Sequence, residues 1–348
     1  MANFLLIIDW SSLLATSYYG NLPPVLRNNK LSPSDAEKHY DEILHASDGT
    51  YTNAIFGFMK TLIDIVRNQK PDYIVVNWDE TRSTFRRNLY PEYKGTRGDT
   101  PQPLKDQIVL MKKILTFIGI KQFSSSDYEA DDFSGSLAKY FSKDTFVRIL
   151  TKDRDHLQLV DNKVNVWLKF PIDKDGESSA VNTLNDKFGV DATKLNLPLG
   201  VFRVTPDLVK PYYGVDATQV VDFKALMGDT ADNIPGVPGI GEKTAKTLLE
   251  NFYTLSNLYS FLESKTEDYV IDEFKKLGVR GGAKVYRLLI DGKDSAVLSR
   301  KLATIKTDIP FGNMSLDIFK TNINEANLIA TLKRLDFNWF LKTYYPNV

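Results

Sequence analysis

The sequence has no cysteine, which excludes disulfides and cysteine-ligated zinc or iron–sulfur centres. Histidine is scarce: His39, His45 and His156 form no HxxxH pair, so a histidine-rich metal centre is not expected. No run approaches the ~18 consecutive apolar residues a membrane span requires. Net charge is also absent, because 44 Lys and Arg residues balance 44 Asp and Glu residues. That excludes a globally basic, histone-like binder but leaves local patches open. The N-terminal run reaches Asp9 after five apolar residues and lacks a basic stretch, so it reads as a buried strand rather than a signal peptide. These absences point to the cytoplasm, and to carboxylates as the ligands of any metal.

What is present is a 348-residue chain, 43% hydrophobic, with enough apolar material for about two domains. Strand-like runs at Phe4–Ile8, Tyr73–Trp78, Ile120–Phe123 and Thr145–Leu150 alternate with helical spacing over 54–66, 104–118 and 128–141. Such alternation predicts βαβ units and a largely parallel α/β sheet, whose ligand sites lie beyond the carboxyl ends of the strands. Asp9, Asp79 and Asp153 each follow a strong strand. After about residue 205 helical patterns dominate, so the expected domains are 1–204 and 205–348, with excursions at 21–50 and 171–203. Phe188-Gly-Val-Asp-Ala-Thr193 is echoed by Tyr213-Gly-Val-Asp-Ala-Thr218, which reads as local similarity rather than a solenoid.

Denser acidic strings join the strand-end aspartates: Glu129, Asp131 and Asp132 at a helix start, Asp153 and Asp155 in a D-x-D pair, Asp229 and Asp232 in a D-x-x-D pair. Singly, such acids suit helix capping or solvation. As one set of nine they would repel strongly without cations. Oxygen-only donors suit Mg²⁺, with Mn²⁺ as substitute, and the chemistry favoured there is two-metal phosphoryl transfer. Setting these nine aside leaves 35 acidic residues against 44 basic ones, a surplus able to meet a polyanion.

Two basic segments supply that surplus. Arg82, Arg86, Arg87, Lys94 and Arg97 interleave with Phe85, Tyr90 and Tyr93, a pattern suited to a phosphate backbone with stackable bases. Ile234 to Lys246 holds Gly236, Val237, Gly239, Gly241, Lys243 and Thr244 in a tight hairpin opening a helix. It departs from a P-loop, because Glu242 displaces the Lys–Thr pair. Its amides, with Lys243 and Lys246, suit a backbone phosphate. Arg280 and Lys284 around Gly281-Gly282 extend that surface.

The strings together resemble the 5′-nuclease family: the 5′→3′ exonuclease domain of bacterial DNA polymerase I and the phage flap endonucleases. The resemblance is carried by Ile8-Asp-x-Ser-Ser12, by Trp78-Asp…Thr84-Phe-Arg…Tyr93-Lys-x-x-Arg97, and by Glu129-Ala-Asp-Asp132. Thr151-x-Asp-x-Asp155, the stretch from Leu226 to Ala245, and Leu302-Ala-Thr-Ile-Lys-Thr307 complete it. It implies a PIN-like (resolvase-like) domain with a helical arch, then a helical domain carrying a helix–three-turn–helix, the helix–hairpin–helix variant, and a C-terminal extension. It also implies a first metal site of Asp9, Asp79, Glu129 and Asp131, and a second of Asp132, Asp153, Asp155, Asp229 and Asp232. Lys94, Arg86 and Arg97 would serve catalysis under the arch, and the hairpin would hold K⁺ against the duplex. The substrate implied is DNA with a free 5′ end, flap or nick, or an RNA–DNA hybrid, cleaved by a standalone monomeric nuclease. Trp10 stands where the family has glycine, and its ring is expected to pack in the core. Two rivals are weaker: a haloacid-dehalogenase-like phosphatase needs Asp-x-Asp where Asp9-Trp-Ser11 lacks the second acid, and a non-catalytic DNA-junction binder needs no acidic set.

Overall fold

The computed structural model describes residues 3–27, 31–81, 84–173 and 176–348. Its sheet has six strands: β1 (Phe4–Asp9), β2 (Tyr73–Asn77), β3 (Lys121–Phe123), β4 (Phe146–Thr151), β5 (Val164–Lys169) and β6 (Val201–Val204). Their order is β3-β2-β1-β4-β5-β6. All neighbours are parallel except β5 and β6. The first four strands lie within a residue of the expected runs. β5 and the four-residue β6 are additional to the expected strands and lie beside or within the excursion at 171–203.

Alternation along β1 explains its position at the sheet's centre. Phe4, Leu6 and Ile8 enter one core with the helices Asn53–Gln69 and Gln102–Phe117. Leu5 and Ile7 enter a second core, behind the helix Ala130–Phe141. A strand buried on both faces needs a continuous apolar run, which is what precedes Asp9. A third core joins Val166 and Leu168 of β5 and Phe202 and Val204 of β6 to the helices after 205.

Packing runs across position 204/205, the expected domain boundary. The sheet's far edge packs with the helical part, and the chain's end returns to the first core. Thr321 N donates to Asp72 O at 2.8 Å, and Asn324 N to Ile118 O at 3.0 Å. Leu328, Leu332, Leu335, Phe337 and Phe340 then bury against that core. The physical reason is apolar burial, since their helical faces have no other partner among the described residues. No helix among the described residues is long and apolar enough to cross a membrane.

Trp10 opens the helix after β1 with its ring centroid 4.1 Å from Phe58 and 4.2 Å from Trp78. At 1% exposure it is a core residue, which agrees with the expected packing. Trp10→Ala should therefore lower stability by about 3–5 kcal/mol in urea unfolding. A loss below ~1 kcal/mol would show that the ring does not support the core.

Candidate active site

Strand ends bring the acids together. Asp9 is the last residue of β1 and accepts 2.6 Å from Thr151 Oγ1, at the end of β4. Asp79, two residues beyond β2, accepts 2.9 Å from Ala130 N, the first amide of the Ala130–Phe141 helix. Asp153 lies two residues beyond β4 and caps a short 3₁₀ turn, accepting 2.8 Å from Asp155 N. Asp9, Asp79, Asp131 and Asp153 line one cavity of about 230 Å³, together with Lys94 and His156. Burial pushes the Asp9 carboxyl above its usual range and the Asp131 carboxyl well above it. Asp131 Oδ1 is buried with no hydrogen-bond partner among the described residues.

The other five acids are held differently. Glu129 and Asp132 form a reciprocal capping box at the same helix start. Asp132 is fully buried and saturated: Arg86 donates at 2.8 and 2.7 Å, Glu129 N at 3.1 Å and Lys306 N at 2.8 Å. The expectation that Asp132 ligates a metal meets a residue whose oxygens are already engaged. Glu129 accepts at 3.1 Å from each of Arg86, Tyr93 Oη and Lys94 Nζ. Asp232 pairs with Arg97, while Asp155 and Asp229 both pair with Lys224.

Cations thus sit between carboxylates that would otherwise repel. As arranged, no three His, Asp or Glu side chains among the described residues converge closely enough to hold one ion. The donor chemistry nonetheless fits a divalent cation: four carboxylates face one small cavity, and one of their oxygens is buried without a partner.

The basic segment after Asp79 differs from the expected arch. Its described part holds one short helix, Phe85–Leu89, and folds down onto the acids. Arg86 is 1% exposed and also donates to Leu302 O at 2.9 Å and Thr304 O at 2.8 Å. It cannot reach a strand passing through an arch. Tyr93 is equally buried, its hydroxyl between Glu129 and Asp232, so it offers no face for stacking. Lys94 sits at φ 53°, a left-handed conformation costly for a side-chain-bearing residue, held by its N–H on Asp232 O at 2.9 Å. Burial disfavours its charge, but Tyr93, Glu129 and Asp232 outweigh that and raise its pKa. Arg97 lines the same cavity. Arg82 lies outside the described residues.

The glycine-rich hairpin divides in two. Gly236 and Val237 are buried, with their amides engaged by Ser299 Oγ at 2.9 Å and Leu226 O at 2.8 Å. Gly236 has φ 63°, and a Cβ there would stand 2.2 Å from Gly228 N, so only glycine fits. These two residues build the turn and have no amide left for a phosphate. Gly239, Gly241 and Lys243 are exposed, and Thr244 half-buried. Gly241 caps the helix Glu242–Phe252 without a side-chain bond to its first amides. Lys246 lines a cavity of about 850 Å³ with Asp153, Asp155, Lys224 and Asp229. Arg280 and Lys284 are exposed.

Sequence reasoning missed Lys224, Thr151 and His156. Lys224 had a signal, as a lone lysine in the apolar helix Val220–Met227. Burial opposes its charge, yet Asp155 and Asp229 outweigh burial and raise its pKa. Thr151 stands in the Thr151-x-Asp-x-Asp155 string without a role assigned to it, and His156, next to Asp155, gave no signal by type.

Residues 4–189 match the family model of the 5′-3′ exonuclease N-terminal resolvase-like domain, and residues 215–327 that of the 5′-3′ exonuclease C-terminal SAM fold. The DNA polymerase I of Bacillus subtilis is 33% identical over 339 residues, 97% of this chain and 32% of the polymerase. That of Bacillus caldotenax is 35% identical over 301 residues, 86% of this chain and 30% of the polymerase. The chain spans about a third of the length of these relatives. A T5 5′-exonuclease structure with bound zinc aligns at TM-score 0.55 and 20% identity, over 88% of this chain and 90% of that one. The Rad2 catalytic core in complex with DNA substrate aligns at 0.53 and 13%, over 96% and 87%. At these identities the two structures bear on the fold alone.

Removing the buried ammonium of Lys224 leaves Asp155 and Asp229 facing each other uncompensated. Lys224→Ala should lower stability in EDTA by about 3–5 kcal/mol, with partial recovery when Mg²⁺ is added. Unchanged thermal unfolding in EDTA would show that the ammonium does not support these carboxylates.

Proposed function

The chain belongs to the 5′-3′ exonuclease family, and from that premise we propose that it hydrolyses DNA phosphodiesters near a free 5′ end, at flaps or nicks, as a metal-dependent nuclease. The observation that carries this reading is the convergence of Asp9, Asp79, Asp131 and Asp153 on one cavity with an unpartnered Asp131 oxygen. Mg²⁺, replaceable by Mn²⁺, is the cofactor proposed, held by these four acids with Asp155 and Asp229 beside them. When bound, it lowers the pKa of an attacking water and neutralises charge on the phosphate. We place the protein in the cytoplasm, acting as a monomer, and give K⁺ a place at the hairpin.

The chain's own groups divide the remaining work. Lys94 and Arg97 line the acid cavity, so a phosphate entering it meets their charges. Taking up that phosphate frees the carboxylates these cations now neutralise, and exchanges one set of ion pairs for another. Lys94 can strengthen its contact as negative charge develops, which accelerates the chemical step. Gly239, Gly241 and Lys243, with Arg280 and Lys284, face solvent and suit duplex phosphates, positioning DNA without touching the reacting group. Lys246 lines the larger cavity beside Asp153, Asp155 and Asp229, where a phosphate approaching the acids would meet it.

These roles separate kinetically. Asp153→Ala combined with Asp155→Ala should abolish cleavage of a labelled 5′-flap duplex while binding in Ca²⁺ survives. Lys94→Ala should slow saturated single-turnover cleavage by roughly a hundredfold. Lys243→Ala with Lys284→Ala should instead weaken binding and flatten its salt dependence by about one to two units of slope. Near-normal turnover by the double aspartate variant would overturn the metal-dependent reading. An effect of Lys94→Ala confined to binding would remove Lys94 from the chemical step.

A further inference from the structure

His156 is 1% exposed, and neither Nδ1 nor Nε2 has a hydrogen-bond partner among the described residues. Leaving both nitrogens of an imidazole unsatisfied in the interior is unfavourable, and an apolar side chain would fill the same space without that penalty. His156 is nonetheless one of the residues lining the cavity shared by Asp9, Asp79, Asp131 and Asp153.

Its placement follows from local geometry. Asp153 caps the 3₁₀ turn Arg154–Leu159, and His156 is three residues further on. With three residues per 3₁₀ turn, positions three apart stack on one side, so His156 stands beside Asp153 rather than across the turn. A ring with two unused nitrogens therefore stands among acids that face one small cavity.

We propose that a divalent cation entering this cavity draws His156 in as a nitrogen ligand beside Asp9 and Asp153, and that this nitrogen shifts the site's preference from Mg²⁺ toward Mn²⁺ and the later first-row ions. The inference rests on the metal-dependent reading above and deepens it. A carboxylate-only set favours hard ions such as Mg²⁺, whereas neutral imidazole adds affinity that rises from Mn²⁺ through Co²⁺ and Ni²⁺. Coordination also gives one ring nitrogen the partner it lacks in the fold, leaving the second to a neighbouring carboxylate or water, as is usual for metal-bound histidine.

The test uses Mn²⁺ alone, without DNA. Pulsed EPR of the unsubstituted chain loaded with Mn²⁺ should show echo modulation from a coupled ¹⁴N nucleus, and His156→Leu should lose it. By titration, His156→Leu should weaken Mn²⁺ binding about tenfold or more, and Mg²⁺ binding, measured by competition, clearly less. Bound Mn²⁺ without nitrogen modulation in the unsubstituted chain overturns the assignment and leaves the carboxylate site standing. A loss in His156→Leu no larger for Mn²⁺ than for Mg²⁺ overturns the selectivity. Failure of the unsubstituted chain to bind Mn²⁺ overturns both the assignment and the metal-dependent reading. The spectroscopic arm needs no variant, so a folding defect in His156→Leu does not remove the test.

Discussion

Mutual repulsion among carboxylates at one edge of the sheet is the constraint to which the surrounding structure responds. Parallel strands β1, β2 and β4 deliver Asp9, Asp79 and Asp153 to the same side, and the Ala130–Phe141 helix starts there with Glu129, Asp131 and Asp132. Buried like charges at such spacing are not tolerated without compensation. Arg86, Lys94 and Arg97, from the loop after β2, and Lys224, from the buried helix Val220–Met227, supply it. The basic loop after β2 therefore closes onto the acids, and the helix Val220–Met227 turns a lysine inward.

Arg86 shows how this compensation also organises the chain at long range. Its guanidinium joins the loop after β2 to the Ala130–Phe141 helix through Asp132, and to the end of the helix Lys293–Ala303 through the carbonyls of Leu302 and Thr304. A planar five-donor group can satisfy both at once, which a lysine could not. The next residues, Ile305 and Lys306, pack against Gly135, where a Cβ would stand 2.6 Å from Ile305 Cγ2. The chain then runs on to Lys320, beside β2, and its last helices seal the first core. The acidic edge, the helical part and the C-terminal segment are thus coupled through one buried ion-pair network.

The same edge separates groups by what already satisfies them. Asp132 has its oxygens fully engaged and serves the fold. Asp131 has an oxygen with no partner, and His156 has two such nitrogens, so these are the groups with donor capacity to spare. In the hairpin the division is similar: the amides of Gly236 and Val237 are used by Ser299 and Leu226, whereas Gly239 and Gly241 face solvent. Donor satisfaction, taken together with a place on the acid cavity, separates Asp131 and His156 from Asp132 where residue type alone does not.

Sequence by itself determined the central strands, since an apolar run long enough to bury β1 on both faces and ending at Asp9 leaves little alternative. It also placed Asp9, Asp79 and Asp153 on one side, because strand ends in a parallel sheet share it, and it marked the hairpin through its glycine spacing. It did not reveal β5, which pairs with β4, or β6, which pairs antiparallel with β5, nor the return of Leu328–Phe340 to the first core. Only the tertiary structure decided that Arg86 and Tyr93 are buried rather than free for DNA, that Lys246 faces the acids, and that Lys224 and His156 belong to the site. The physical reason is that period and spacing are local properties of a chain, whereas charge compensation and donor satisfaction depend on which distant residues meet. Arg86 and Leu302 are far apart in sequence, and no pattern in either segment predicts their hydrogen bond.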